Sequence, residues 1–208
     1  MSGPTTQQRA LVLRTAASGE SFRKIDLLAA DDGCRLVLQR SSKKQGGVVP
    51  DLFDTAEVAL AANKQHTVYF VEDYALLRRR SEIGRSYRTL RAASGFCVLL
   101  AENAPLMDDA PALLAIAERA LDAFAAKDAP EVTLLKALYL LLRHEGYPVK
   151  EHWLAELRPK LRQPVAALLR NPIGDAAPPA ERDTAEAAAD QLMRWIRQHT
   201  DLRATDVG

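Results

Sequence analysis

Apolar and polar positions alternate through the first seventy residues. In "RALVLRT" (Arg9–Thr15), Leu11 and Leu13 alternate with Val12 and Arg14. "FRKIDLLAA" alternates around Ile25 and Leu27, and "CRLVLQR" follows directly after the "DDG" of Asp31–Gly33. A period of two bounded by turn residues predicts strands. Ser18–Ser21 and Asp31–Gly33 are the turn clusters between them. In "VLQRSSKKQGGVVP" (Val37–Pro50) a strand pattern runs into Lys43, Lys44, Gly46, Gly47 and Pro50, which end any regular element. "TAEVALAA" is a fourth candidate strand whose alanines suit a helix equally well, and "HTVYFVE" is a fifth. Five short strands fit a small barrel of the OB type, which closes the edges an open meander would expose. An SH3-like barrel or a five-stranded open sheet would generate much the same pattern.

Beyond Asp73 the spacing becomes helical. "YALLRRR", "EIGRSYRTLRAASGFCVLLAEN" and "DDAPALLAIAERALDAFAAKD" have helical composition. In the last, Leu113, Ala117, Leu121 and Phe124 form one stripe, with Asp108 and Asp109 placed to cap it and Pro111 in its first turn. "PEVTLLKALYLLLRHEGYP" is apolar on more than one face, which predicts a central helix ended by Gly146. Shorter helices are expected over "KEHWLAEL", ending before Pro159, and over "QPVAALLR". "NPIGDAAPPAERD" reads as a loop and "TAEAAADQLMRWIRQHT" as the last helix. The expected class is α+β: an N-terminal five-stranded OB-type β-barrel followed by an all-α helical domain. The expected divisions are a flexible lead-in over 1–8, a barrel over 9–74 and a helical bundle over 75–208.

Composition narrows the function classes. The 208 residues are 48% hydrophobic with a formal net charge of +1, as in a soluble globular protein. No apolar run approaches the roughly 20 residues that span a bilayer, and "MSGPTTQQR" has no signal-peptide core. Cys34 and Cys97 lack CxxC partners and suit a reducing compartment, so a cytoplasmic location is expected. Residues 1–95 hold 15 Lys/Arg against 10 Asp/Glu, whereas 96–208 hold 13 against 17. A basic half joined to an acidic half points to an anionic partner for the first part.

The usual catalytic signatures are missing. The chain has no GxxxxGK[ST] loop, "GESFR" has arginine where a nucleophile elbow needs glycine, and Pro148 occupies the second-histidine position after "HE". The four histidines form no ligand-spaced cluster with either cysteine. A non-enzymatic protein without cofactor or metal is expected. What remains is patterned positive charge. Arg14, Arg23, Lys24, Arg35, Arg40, Lys43 and Lys44 lie on or beside the strands and their turns, where a barrel face can track a phosphate backbone. Read as one helix at 100° per residue, Arg78, Arg85 and Arg88 share a face, with Arg91 on its shoulder. Each alone is an ordinary solvated cation; together they favour a polyanion. Aromatic residues for base stacking are few: Phe22, Phe53, Tyr69 and Phe70. The last two alternate, so at least one should point into the core.

The order of segments resembles a known family. "ALVLRTAASGES", then "IDLLAADDGCRLVLQR", then a Lys/Gly-rich tip, is similar to the N-terminal domain of the bacterial DNA repair protein RecO family. The segment from "YFVEDYALLRRR" to "ERALDAF" and the helix end "LLKALYLLLRHEGYPV" resemble its helical part, so the likeness covers about residues 9–150. The resemblance implies an OB barrel plus helical bundle. It implies binding of single- and double-stranded DNA, strand annealing and recombinase loading in recombinational repair, without nucleotide hydrolysis. It further implies a RecR-like mediator and single-strand-binding protein as partners. The chain departs from the pattern in four places, one being a basic tip with fewer charges than in many members. "KEHWLAELRPKL" has no cysteine where many members carry a zinc site, so no zinc is implied. Ala17 or Ser18 replaces the tyrosine of the family's Y-G-E turn, and the end past Thr200 lacks the usual basic-serine ending. The rival expectation is a non-catalytic protein-interaction scaffold of the same fold with little DNA affinity.

Overall fold

The computed structural model describes residues 5–40 and 48–204. Five strands, β1 (Thr5–Ser18), β2 (Phe22–Ala29), β3 (Gly33–Arg40), β4 (Thr55–Ala62) and β5 (Tyr69–Arg78), close into a barrel in the order β1-β2-β3-β5-β4. All neighbours are antiparallel except β3 and β5, which pair in parallel through Val37–Tyr69 and Leu38–Phe70. This is the OB-type barrel, and it selects among the three architectures that the strand pattern allowed.

Closure depends on the length of β1. Its first half pairs with β4, from Thr5–Ala61 to Leu11–Thr55, and its second half with β2. A bulge between Val12 and Arg14 bends the strand from one partner to the other. The strand therefore starts inside the expected 1–8 lead-in. Residues 5–8 are polar and give no apolar alternation, but the β4 ladder satisfies their backbone and Gln8 is buried. Ala10, Ala29 and Ala56 face inward beside Val12, Ile25 and Val58. Small side chains at these positions let a five-stranded barrel close without overfilling. Gly33, at φ +70°, makes the tight β2–β3 turn that an L side chain would strain.

β5 corrects the helical reading of "YALLRRR". Tyr74 packs against the barrel core opposite Val58, and Leu76 pairs with Ala56, so the ladder overrides the helical propensity of the segment. The last strand thus runs to Arg78, past the residue 74 at which the barrel is expected to end. One compact unit runs to Arg80 and also takes in Leu100–Glu118; the other comprises Ser81–Leu99 and the chain from Arg119 onward. In the first unit Glu118 fastens the β1–β4 edge. Its carboxylate accepts from Arg9 at 2.9 and 3.0 Å and from the Thr55 hydroxyl at 2.9 Å.

The helices are α1 (Tyr87–Asn103), α2 (Ala110–Ala126), α3 (Pro130–His144), the single turn α4 (Trp153–Glu156), α5 (Pro159–Arg170) and α6 (Pro179–His199). Asp109 caps α2 by accepting from the Ala112 N–H at 3.0 Å. In the second unit α3 packs on α6 and is buried around most of its circumference, as its apolar pattern predicts. α5 and α6 start four and five residues earlier than the apolar pattern indicates. Each opens on a proline at its first position, where the missing N–H costs nothing. No helix among the described residues is long and apolar enough to cross a membrane.

Candidate nucleic-acid interface

Strand alternation sorts the basic residues of the barrel by face. On β2 the inward positions are Ile25, Leu27 and Ala29, and on β3 Val37 is inward. Phe22, Lys24 and Asp26 therefore point outward, as do Leu36, Leu38 and Arg40. Cross-strand register places Arg40 opposite Phe22 and Lys24 opposite Leu38, with Phe70 of β5 beside Leu38. The rings of Phe22 and Phe70 meet at 6.2 Å between centroids with a 55° tilt, and the Arg40 guanidinium lies 5.9 Å over Phe22. Leu36 extends the apolar strip and is 55% exposed. Tyr69 turns into the core and Phe70 outward, as their alternation predicts. The outer β2–β3–β5 face is thus an aromatic–aliphatic strip with two exposed cations. Neither Lys24 nor Arg40 forms an ion pair with a described residue.

The other expected contacts go elsewhere. Arg14 shares this outer face, but Asp26, directly opposite on β2, holds it at 2.5 Å, and Glu102 lies 3.9 Å from it. Arg23 and Arg35 fall on the inward register, at opposite ends of the barrel. The Arg23 guanidinium donates to the Pro50 carbonyl at 3.1 Å. Arg35 lies 4.5 Å over the Tyr69 ring and pairs with Asp32 at 3.0 Å. Lys43 and Lys44 lie outside the described residues. Of the seven barrel cations expected to track a phosphate backbone, the described residues thus leave Arg40 and Lys24 open on this face.

The arginine-rich segment after the barrel is not a single helix. Arg78 ends β5, Arg85 ends a 3₁₀ turn over Ser81–Arg85, and Arg88 and Arg91 belong to α1. The shared helical face of Arg78, Arg85 and Arg88 does not form, because the strand and the turn break the 100° period. Arg79 and Arg80 are structural. Asp54 is fully buried and accepts from Arg79 at 3.0 and 2.7 Å, from the Tyr74 hydroxyl at 3.1 Å and from the Asp51 N–H at 3.0 Å. Arg80 is buried on the Phe53 carbonyl at 2.6 Å and the Thr55 hydroxyl at 3.0 Å. Burial first, then the Asp54 carboxylate, raises the Tyr74 phenol well above its ordinary pKa.

In the second unit, α1, α3 and α6 border a groove of about 700 Å³. Phe96, Leu134, Leu138 and Met193 form its floor. The exposed Tyr87 stands at its edge, and Arg88 on the rim is held by Glu131 at 2.6 and 2.9 Å. Sequence reasoning missed this groove because it is assembled from three segments, each of which reads as ordinary amphipathic helix. It also weighed Phe22 and Phe70 singly. Their parity along β2 and β5 was the available signal; the pairing across β3 was not. No protein-family model matches the chain, and no curated protein matches it.

Proposed function

We propose that the protein binds single-stranded nucleic acid on the outer β2–β3–β5 face of its barrel and acts without catalysis in recombinational DNA repair. The observation that carries this reading is the pairing of Phe22 and Phe70 beside Arg40 and Lys24, two cations that form no ion pair with a described residue. The strand 2–3 face is where OB barrels hold oligonucleotides, by stacking bases on aromatic rings and neutralising phosphates. With two rings and two open cations, binding is modest in affinity, tolerant of sequence and steep in salt. The resemblance to the RecO family supports the repair role. On that reading, one basic face lowers the repulsion between two strands and speeds their annealing, and recombinase loading, with a RecR-like mediator or single-strand-binding protein, follows from the same family role.

Oligothymidylate binding followed by fluorescence anisotropy across a salt series tests the proposal. Phe22→Ala with Phe70→Ala should cost about 1–3 kcal/mol per stacked base at unchanged salt slope. Lys24→Ala with Arg40→Ala should make the log–log slope shallower by roughly 1 to 1.5. Binding indifferent to all four substitutions refutes this face. A second reading, a protein-interaction scaffold, is favoured by the groove of the second unit and by the internal pairing of Arg14, Arg79 and Arg88. It predicts no oligonucleotide binding even at low salt.

A further inference from the structure

We propose that the cleft between α3 and α5 in the second unit is a phosphate site, for a phosphate ester carried by a nucleotide or by a nucleic-acid backbone. The cleft has a volume of about 670 Å³, within the range of small-ligand sites. Three cations from three segments line it: Arg143 from the last turn of α3, Lys150 from the loop that follows, and Arg170 from the end of α5. Gln163 and Tyr139 add neutral polar groups and Leu154 and Leu169 an apolar shelf; no acidic side chain among the described residues lines the cleft, with Glu151 within electrostatic reach of Tyr139. None of the three cations forms an ion pair with a described residue. A single carboxylate needs one such partner; three on one cleft match a group of higher charge with several acceptor oxygens.

The backbone beneath the three cations is fixed while their side chains are exposed, the Arg170 Nε donating to the Ala166 carbonyl at 3.2 Å. Gly146, at φ +79°, reverses the chain after α3, with the Tyr147 N–H donating to the Leu142 carbonyl at 2.9 Å. Val149 and Trp153 are buried on either side of the following turn, which fixes the base of Lys150. The Trp153 ring lies 6.2 Å from Tyr139, which also lies beneath the Arg143 guanidinium. Lys136 donates to the carbonyls of Leu168, Leu169 and Asn171 at 2.9, 3.2 and 2.5 Å. It fastens the end of α5 and neutralises the free carbonyls there, which would otherwise repel an anion beside Arg170.

The test is a titration of the ¹⁵N-labelled full-length chain with sodium phosphate against sodium chloride at equal ionic strength, read by amide chemical shifts. The proposal expects saturable shifts confined to Arg143, Lys150, Gln163 and Arg170. Lys150→Ala and Arg170→Ala, with spectra otherwise unchanged, should each weaken binding about tenfold. Shifts reproduced by chloride, or unaltered in both variants, overturn the site and leave these cations as counter-charges to their own helix ends. Competition then identifies the source. Displacement of phosphate by thymidine monophosphate assigns the cleft to free nucleotides. Displacement only by oligothymidylate, retained when Phe22 and Phe70 are alanine, assigns it to a nucleic-acid backbone independent of the barrel face. If neither displaces phosphate, the cleft accepts no such ester and the proposal fails.

Discussion

The outer face around β2 and β3 and the end of the barrel around Asp54 hold similar charges in opposite ways. Around Asp54, Arg79, Tyr74 and the buried carboxylate satisfy one another, and next to them Arg80 donates to the Phe53 carbonyl and the Thr55 hydroxyl. On the β2–β3 face, Arg40 lies over the Phe22 ring and Lys24 projects from the same face, and neither forms an ion pair with a described residue. The richest run of positive charge in the sequence, Arg78–Arg80, is therefore not the place where an anion gains most. Formal charge counts side chains, whereas binding depends on those that folding leaves unneutralised.

The largest effect expected from this contrast is on stability. Asp54→Ala removes the acceptor of two Arg79 hydrogen bonds, the Tyr74 hydroxyl and the Asp51 N–H together. Breaking a buried charged network by deleting one partner costs about 3–5 kcal/mol, to be read from urea denaturation. Where the variant remains folded, its oligonucleotide affinity should match that of the parent. A stable Asp54→Ala with weakened binding would reverse the roles assigned to the two regions.

The next effect is confined to alkaline pH. The Tyr74 phenol is raised in the folded state above the unfolded value of 10.0. The folded protein thus holds the proton that the unfolded chain loses, and this contribution is fully present below about pH 10 and declines above it. Tyr74→Phe should flatten the fall in stability above pH 10 and leave neutral-pH binding alone. A fall of equal steepness in the variant would remove Tyr74 from the network's energetics.

The strand periods and the tight turns made the barrel legible, as did the apolar stripe of α2. Residues 5–8 and 74–78 were not, because their strand conformation comes from ladders with β4 rather than from their own composition. The aromatic strip was half legible: alternation at Tyr69 and Phe70 shows that one ring faces out, but only the parallel pairing of β3 with β5 brings Phe70 to Phe22. Which arginines stay open was not legible at all. Asp26, Asp54 and Glu131 capture Arg14, Arg79 and Arg88 across 12, 25 and 43 residues of sequence.

The smallest expected effect is the sharpest control on the contrast. Arg85 is exposed, as Lys24 and Arg40 are, with a side chain 78% accessible and only a 4.0 Å approach to Glu82. It belongs to the second unit and lies outside the aromatic strip. A surface pair of this kind contributes about 0–1 kcal/mol, so Arg85→Ala should leave the urea midpoint nearly unchanged. It should also leave the salt slope for oligothymidylate unchanged, whereas Lys24→Ala lowers it. Exposure alone does not make an interface; a cation needs an adjoining ring or a second cation to hold a strand in register. Equal slopes for Arg85→Ala and Lys24→Ala would show binding to be diffuse over all open charges, and the aromatic strip would lose its claim as the site.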